Sequence, residues 1–210
     1  MLPPLTDVFA LLGIGLVVGA GSLRLLNLGS GRSGPARPWT KWTVAACFAL
    51  LWIPVGAAGL PLLAYIRGVS SDLSISFVAL ACASLLMQWR GKPVIPRQER
   101  SAVFYAVAVG AIFLYPLAMG LGDWDAYRPG WGSSGMLLVL LVLIVGCMAR
   151  GLRLLPVLTA LALLAWTAGV LESANLWDYL IDPWLAAGAI FYCVKAFVVK
   201  LLVRFGLVKH

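Results

Sequence analysis

Residues 135–166 read GMLLVLLVLIVGCMARGLRLLPVLTALALLAW, and this stretch decides the class of fold. Two apolar runs, lying within 133–149 and 154–171, flank a short turn that carries Arg150 and Arg153. A bilayer core about 30 Å thick needs roughly 20 apolar residues per helix. Runs this apolar, joined by so short a basic turn, read as two antiparallel membrane helices. Pro156 suits the first turn of the second, where a missing N–H is no loss.

Working outward, the same alternation extends along the chain. Apolar segments near 5–26, 42–65, 73–89, 101–121, 133–149, 154–171 and 183–203 read as seven spans. Arg24, Arg32, Arg37 and Lys41 fill the first gap, and Arg90, Lys92, Arg97 and Arg100 fill the third. Lys200, Arg204 and Lys209 crowd the C-terminus. Intervening gaps carry Asp123, Asp125, Glu172, Asp178 and Asp182. Lys and Arg near span ends stay on the cytoplasmic side. The expected fold is therefore an all-α, polytopic integral membrane helix bundle of about seven transmembrane helices. Its N-terminus lies outside, its C-terminus is cytoplasmic, and residues 1–210 form a single transmembrane domain. A six-span parse, with the first segment re-entrant or the fifth and sixth divided differently, would break the charge alternation.

Composition agrees. The 210 residues are 62% hydrophobic and 11% charged, with a mean hydropathy of +0.96. Soluble domains carry about 25% charged residues. A net charge of +8 in a soluble chain would suggest nucleic acid. Here the cations flank apolar runs, so membrane lipids of the inner leaflet are the expected partner and nucleic acid is not. Met1 to Gly21 contains no Lys or Arg and includes Asp7, so the start reads as a first span and not as a cleavable signal peptide.

Several chemistries are disfavoured. Cys47, Cys82, Cys147 and Cys193 sit in separate apolar runs without metal-site or redox spacing, and read as small packing residues. The single histidine is His210. Histidine-ligated metal or haem and histidine acid–base catalysis are thus not expected, and neither metal nor cofactor is assigned.

Local features carry further expectations. Pro54 and Pro61, with Gly56 and Gly59 between them, predict a kinked second helix. Gly15 and Gly19 form a GxxxG pair that permits close helix approach. Lys195, twelve residues after Pro183, lies about 18 Å along the last span, past the midplane. An intramembrane lysine is a functional candidate. A retinal-type reading of it fails, because Leu73–Trp89 supplies no carboxylate counter-ion. Lys195 reads as snorkelling toward the inner interface.

The richest chemistry is in two outer loops, Gly122–Trp131 and Glu172–Trp184. Each contains Trp-Asp, then Tyr, then Pro, an imperfect echo of one another. Asp123, Asp125, Tyr127 and Arg128 are therefore expected to meet Asn175, Asp178 and Asp182 across the outer ends of the last four helices. Asp182-Pro183 is a helix start, with Asp as N-cap. Leu176, Trp177, Leu180, Ile181 and Trp184 recur at helical spacing, so 173–182 is expected to be an amphipathic helix lying on the outer surface. The candidate ligand- or partner-binding residues are Asp123, Asp125, Tyr127, Arg128, Glu172, Asn175, Trp177, Asp178 and Asp182. Carboxylates there can bind a cation or move a proton, and Arg128 can hold a phosphate or pair with a carboxylate. The same side chains can equally cap helices and pair with one another. No catalytic motif of defined spacing is present. The leading expectation is a non-catalytic multi-pass subunit or accessory protein of a cell-envelope assembly in the inner membrane. Its aromatic and acidic outer face would meet another membrane or periplasmic protein, or a lipid headgroup. The alternatives are a small-solute or lipid transporter using the kinked second helix, and an envelope enzyme acting on lipid headgroups through the external carboxylates.

Overall fold

The computed structural model describes residues 5–29, 42, 45–46, 48–90 and 94–205. Most of the first basic gap, Lys92, Cys47 and the tail with Lys209 and His210 lie outside the described residues. Among the described residues the chain is all-α apart from one two-stranded hairpin. In order come α1 (Leu5–Gly29), β1 (Pro54–Val55), β2 (Leu60–Pro61), α2 (Leu62–Ser70), α3 (Ile75–Arg90) and α4 (Arg97–Ala118). A 3-10 turn (Arg128–Trp131) precedes α5 (Ser134–Ala149), α6 (Leu154–Thr167), α7 (Leu176–Leu180) and α8 (Pro183–Arg204).

Three helices among the described residues are long and apolar enough to cross a membrane: α1 over Leu5–Leu26, α4 and α8. The others of apolar character, α3, α5 and α6, have 14 to 16 residues. At 1.5 Å per residue a 16-residue helix covers about 24 Å, short of a full hydrocarbon core.

The second expected span is overturned over 54–61. Pro54 and Pro61 face each other across a tight antiparallel hairpin, with Val55 opposite Leu60. Gly56 and Gly59 take φ of +70° and +61°, which turn the chain back where a side chain would be strained. Pro61 then stands immediately before α2 and ends the hairpin. The prolines lack the N–H that a continuous helix would need, and glycine makes reversal cheaper than a kink.

Two packed clusters form the interior. The larger joins Val103, Val107 and Ala111 of α4, Leu158 and Ala162 of α6, Leu176 and Tyr179 of α7, and Leu185, Ala186 and Ala189 of α8. Small residues on both sides, Ala108 and Ala111 against Ala186 and Ala189, suit close approach of α4 and α8. The smaller cluster joins Ile14 of α1, Leu63 of α2 and Leu73, with Trp52 packed against it. Phe77 of α3 touches both. Gly15 lies so near Phe48 that an added Cβ would stand 2.4 Å from its ring, so this glycine serves packing within the chain.

Hydrogen bonds fix which helix ends lie together. Asp182 at the start of α8 holds Ser74 at the start of α3, and Arg67 of α2 holds Asp7 of α1. At the opposite end Glu99, in the first turn of α4, accepts from the backbone N–H groups of Arg153 and Leu154 at 2.9–3.0 Å. It thereby caps α6. Asp7, Asp72, Glu172, Asp178 and Asp182 thus gather at one end of the bundle, and Arg90, Arg97, Arg150, Arg153 and Arg204, with Glu99, mark element ends at the other.

Candidate functional site

At the acidic end, a cleft of about 1070 Å³ separates the two packed clusters. One wall is Leu11, Trp52, Leu60, Ala64 and Arg67. The other is Leu114, Tyr115 and Ala118 of α4, with Tyr127, Leu171, Ser173, Asp178 and Ile181. Leu60 and Glu172 are exposed, so the cleft reaches the surface.

Arg67 organises it. Its Nε lies 2.8 Å from Asp72 Oδ1, Nη1 pairs with Asp7 Oδ1, and Nη2 lies 2.8 Å from Glu172 Oε1. The Nη2 approach to Glu172 is an ion pair by distance but makes no hydrogen bond, and this buried atom has no other partner among the described residues. Burial opposes the guanidinium charge. Hydrogen bonds from Arg67 to Asp72 and Asp7, and the charges of Asp72 and Glu172, outweigh it and hold the Arg67 pKa well above its ordinary value. Ser71 adopts φ of +58°, a region few non-glycine residues visit, in the turn that brings Asp72 back to Arg67.

The loops Gly122–Trp131 and Glu172–Trp184 do meet. Tyr127 Oη and Ser173 Oγ both donate to Asp178 Oδ2. Asn175 donates from Nδ2 to the Tyr127 carbonyl at 3.0 Å, and Trp177 donates from Nε1 to the Ala126 carbonyl at 3.0 Å. Asn175 Oδ1 also accepts from Trp177 N and so caps α7. Gly130 allows this contact, because a Cβ there would stand 1.9 Å from Asn175 Oδ1. Burial first, and then the bond to Asp178 and that carboxylate's charge, push the Tyr127 hydroxyl well above the ordinary tyrosine range. Burial likewise pushes Tyr179 upward.

Asp182 is an N-cap as the sequence predicts, accepting from Leu185 N at 2.8 Å through Oδ1. It does more: Oδ2 accepts from Ser74 N at 3.0 Å and from Ser74 Oγ at 2.6 Å. Ser74 Oγ in turn accepts from Phe77 N at 3.2 Å.

Other expectations are corrected. The segment 173–182 is not a surface-lying amphipathic helix. Its helix is only Leu176–Leu180, and Leu176, Tyr179, Asn175 and Asp182 are buried. Caps on both flanks turn polar side chains inward, where partners satisfy them. Arg128 is exposed and pairs with no carboxylate among the described residues. Asp123 is exposed, and Asp125 accepts from Tyr127 N at 2.8 Å to shape its own turn. Of the predicted residues, Glu172, Asp178 and Asp182 line the cleft together with Tyr127. Lys195 is exposed on α8, three residues beyond Tyr192, whose hydroxyl meets Ser101 at 2.7 Å near the start of α4.

Sequence reasoning missed Arg67, Asp72, Ser74 and Trp52. A signal existed for Arg67: it is a cation close to a gap on the acidic side, an exception to the alternation that calls for partners. Cys82, Cys147 and Cys193 are free thiols. Among the described residues no group of three or more His, Cys, Asp or Glu side chains could hold a metal ion. The chain matches no protein family, no curated protein and no solved structure with which it was compared.

Proposed function

We propose that this chain is a non-catalytic, multi-pass subunit or accessory protein of a cell-envelope assembly. It sits in a bacterial-type inner membrane with seven spans, its N-terminus outside and its C-terminus cytoplasmic. Its outer face receives a partner protein or a lipid headgroup.

The observation that carries this reading is the cleft at the acidic end of the bundle, with exposed tryptophans in the neighbouring loops. Trp124, Trp131 and Trp184 are 52%, 63% and 56% exposed at that end, as expected of rings at headgroup level. Arginines at the opposite element ends fit a cytoplasmic side. The cleft's acidic and hydroxyl side chains favour a scaffold over a reaction. Asp72, Asp178 and Asp182 each accept hydrogen bonds that hold a loop or a helix end. The broken second helix that motivated a transporter is a hairpin instead, so that motive is withdrawn.

The test is purification of the full chain in a mild detergent, with identification of what co-purifies. Exposed Trp131→Ala and Arg128→Ala should release a bound protein while the chain still inserts. Unchanged recovery of every co-purifying species would remove the outer face from the reading.

A further inference from the structure

We infer that the cleft is a binding site for a single amine-bearing phospholipid, one that presents a primary ammonium beside a phosphate. The inference rests on the membrane reading above and names the headgroup. Three features of the lining converge on it.

The first is charge. Five carboxylates (Asp7, Asp72, Glu172, Asp178 and Asp182) face one guanidinium, that of Arg67, around the same space. Arg67 neutralises only part of this, and Asp182 is fully engaged in capping. Among the described residues, Asp178 Oδ1 and Glu172 Oε2 accept no hydrogen bond, because Tyr127 and Ser173 both use Oδ2 and Arg67 faces Oε1. Two acceptors on one wall suit a group with several N–H donors.

The second is a buried donor without an acceptor among the described residues. Trp52 lines the cleft and its Nε1 makes no hydrogen bond there, while Arg67 Nη2 has only its ion-pair approach to Glu172 Oε1, without hydrogen-bond geometry. Buried polar groups are rarely left so. An acceptor oxygen from a phosphate or ester satisfies Trp52 and adds a second partner for Arg67. One ligand that offers N–H donors at one point and acceptor oxygens beside it meets both needs.

The third is the apolar wall. Leu11, Leu60, Leu114, Ala118 and Ile181 line the same space. At about 1070 Å³ the cleft is as large as the larger small-molecule sites, roughly 300–1,000 Å³, so it admits a headgroup with its glycerol and the first part of a chain. A free amine would leave that wall unfilled, which favours a lipid as the source of the ammonium.

The test is native mass spectrometry of the full chain released from nanodiscs made of phosphatidylethanolamine, phosphatidylcholine or phosphatidylglycerol. One phosphatidylethanolamine should be retained at least fivefold more than either other lipid. Phosphatidylcholine keeps the positive charge but has no N–H, so it separates hydrogen bonding from charge alone. Ethanolamine added in solution should not displace the lipid at equal concentration; displacement would move the site to soluble amines and overturn the lipid assignment. A Glu172→Gln/Asp178→Asn double variant, which keeps acceptor oxygens for Tyr127 and Ser173, should lose the preference while still retaining phosphatidylcholine as the parent does, with an unfolding temperature lowered by the weakened bonds to Asp178. Trp52→Phe, which keeps a ring but not the donor, should weaken retention of every phospholipid alike. Equal retention of the three lipids by the parent, or an unchanged preference in the double variant, overturns the headgroup assignment while leaving the membrane reading intact. Release of the chain from membranes by alkaline carbonate without detergent is the separate result that would sink the membrane reading itself.

Discussion

Asp182 Oδ2 accepts hydrogen bonds from both the backbone N–H and the hydroxyl of Ser74, 108 residues away in sequence. Through its other oxygen the same carboxylate caps α8. One buried side chain therefore ties the start of α3 to the start of α8 and holds the acidic end of the bundle together. A simple N-cap is worth about 1 kcal/mol. Hydrogen bonds to a charged group add about 1.5–3 kcal/mol each, and their donors here would be left buried. Asp182→Ala should accordingly cost about 3 kcal/mol, and Ser74→Ala about 1 kcal/mol, by unfolding in detergent. Equal effects of the two substitutions would show that the bridge to α3 adds nothing beyond the hydroxyl.

Arg67→Met should destabilise the chain by about 2 kcal/mol, because three carboxylates that share one cation are left facing each other. The partly exposed positions of Asp7 and Glu172 reduce the effect below that of a fully buried pair. Restoring balance with Asp72→Asn in the same chain should recover part of the loss. A double variant less stable than Arg67→Met alone would contradict the proposed balance of charge.

The alkaline limb of the stability profile should report Tyr127. Its hydroxyl is held protonated in the folded state, above the ordinary value of 10.0, by burial and by Asp178. A group raised in this way contributes fully below the unfolded pKa. The contribution is then lost as pH rises from about 10 toward the folded value. Tyr127→Phe should lower stability at neutral pH and flatten the decline above pH about 10. A variant profile parallel to the parent's over that range would exclude the Tyr127–Asp178 bond as its source. Tyr179 supports a residual slope, since burial raises it also.

How much of this was legible in the sequence depends on distance along the chain. The apolar runs of α5 and α6 and the Asp182-Pro183 start are local, and the helices fall where hydropathy and cap chemistry put them. The hairpin at 54–61 was hidden because Pro and Gly lower the cost of a kink and of a reversal alike, and the run was long enough to read as a span. Arg67 and Asp7 are 60 residues apart, so only the fold brings them together. The meeting of Tyr127 with Asp178 was anticipated from two similar loops on one side. The inward turn of Asn175 was not, because helical spacing gives a face but cannot tell whether loop caps carry the segment onto the surface or into the bundle.

Gly130→Ala should separate those two loops. The new Cβ would fall 1.9 Å from Asn175 Oδ1 and 2.7 Å from Trp177 Cδ1, so one strand of the contact must move. Asn175 then loses its bond to the Tyr127 carbonyl, and Trp177 loses its own to Ala126. Overpacking costs about 1–3 kcal/mol before the lost hydrogen bonds are added. Tryptophan fluorescence should shift to the red as Trp177 meets water, with the unfolding temperature lowered. An unshifted spectrum in a destabilised variant would place the damage elsewhere.

Lys195→Met tests whether the last span holds a working charge. Lys195 is exposed on α8, about 4.5 Å beyond Tyr192 along the helix. Tyr192 in turn meets Ser101, near the arginine-bearing start of α4. With α8 spanning a membrane as proposed, an ammonium at that depth would reach the interface along its own methylene stem, so no internal partner is required. The substitution should leave insertion, unfolding temperature and lipid retention within about 0.5 kcal/mol or its equivalent of the parent, the range of an ordinary surface change. Retention of phosphatidylethanolamine that fell with Lys195→Met, while the protein inserted normally, would show the lysine reaching the bound lipid and would shift the site toward the opposite end of the bundle.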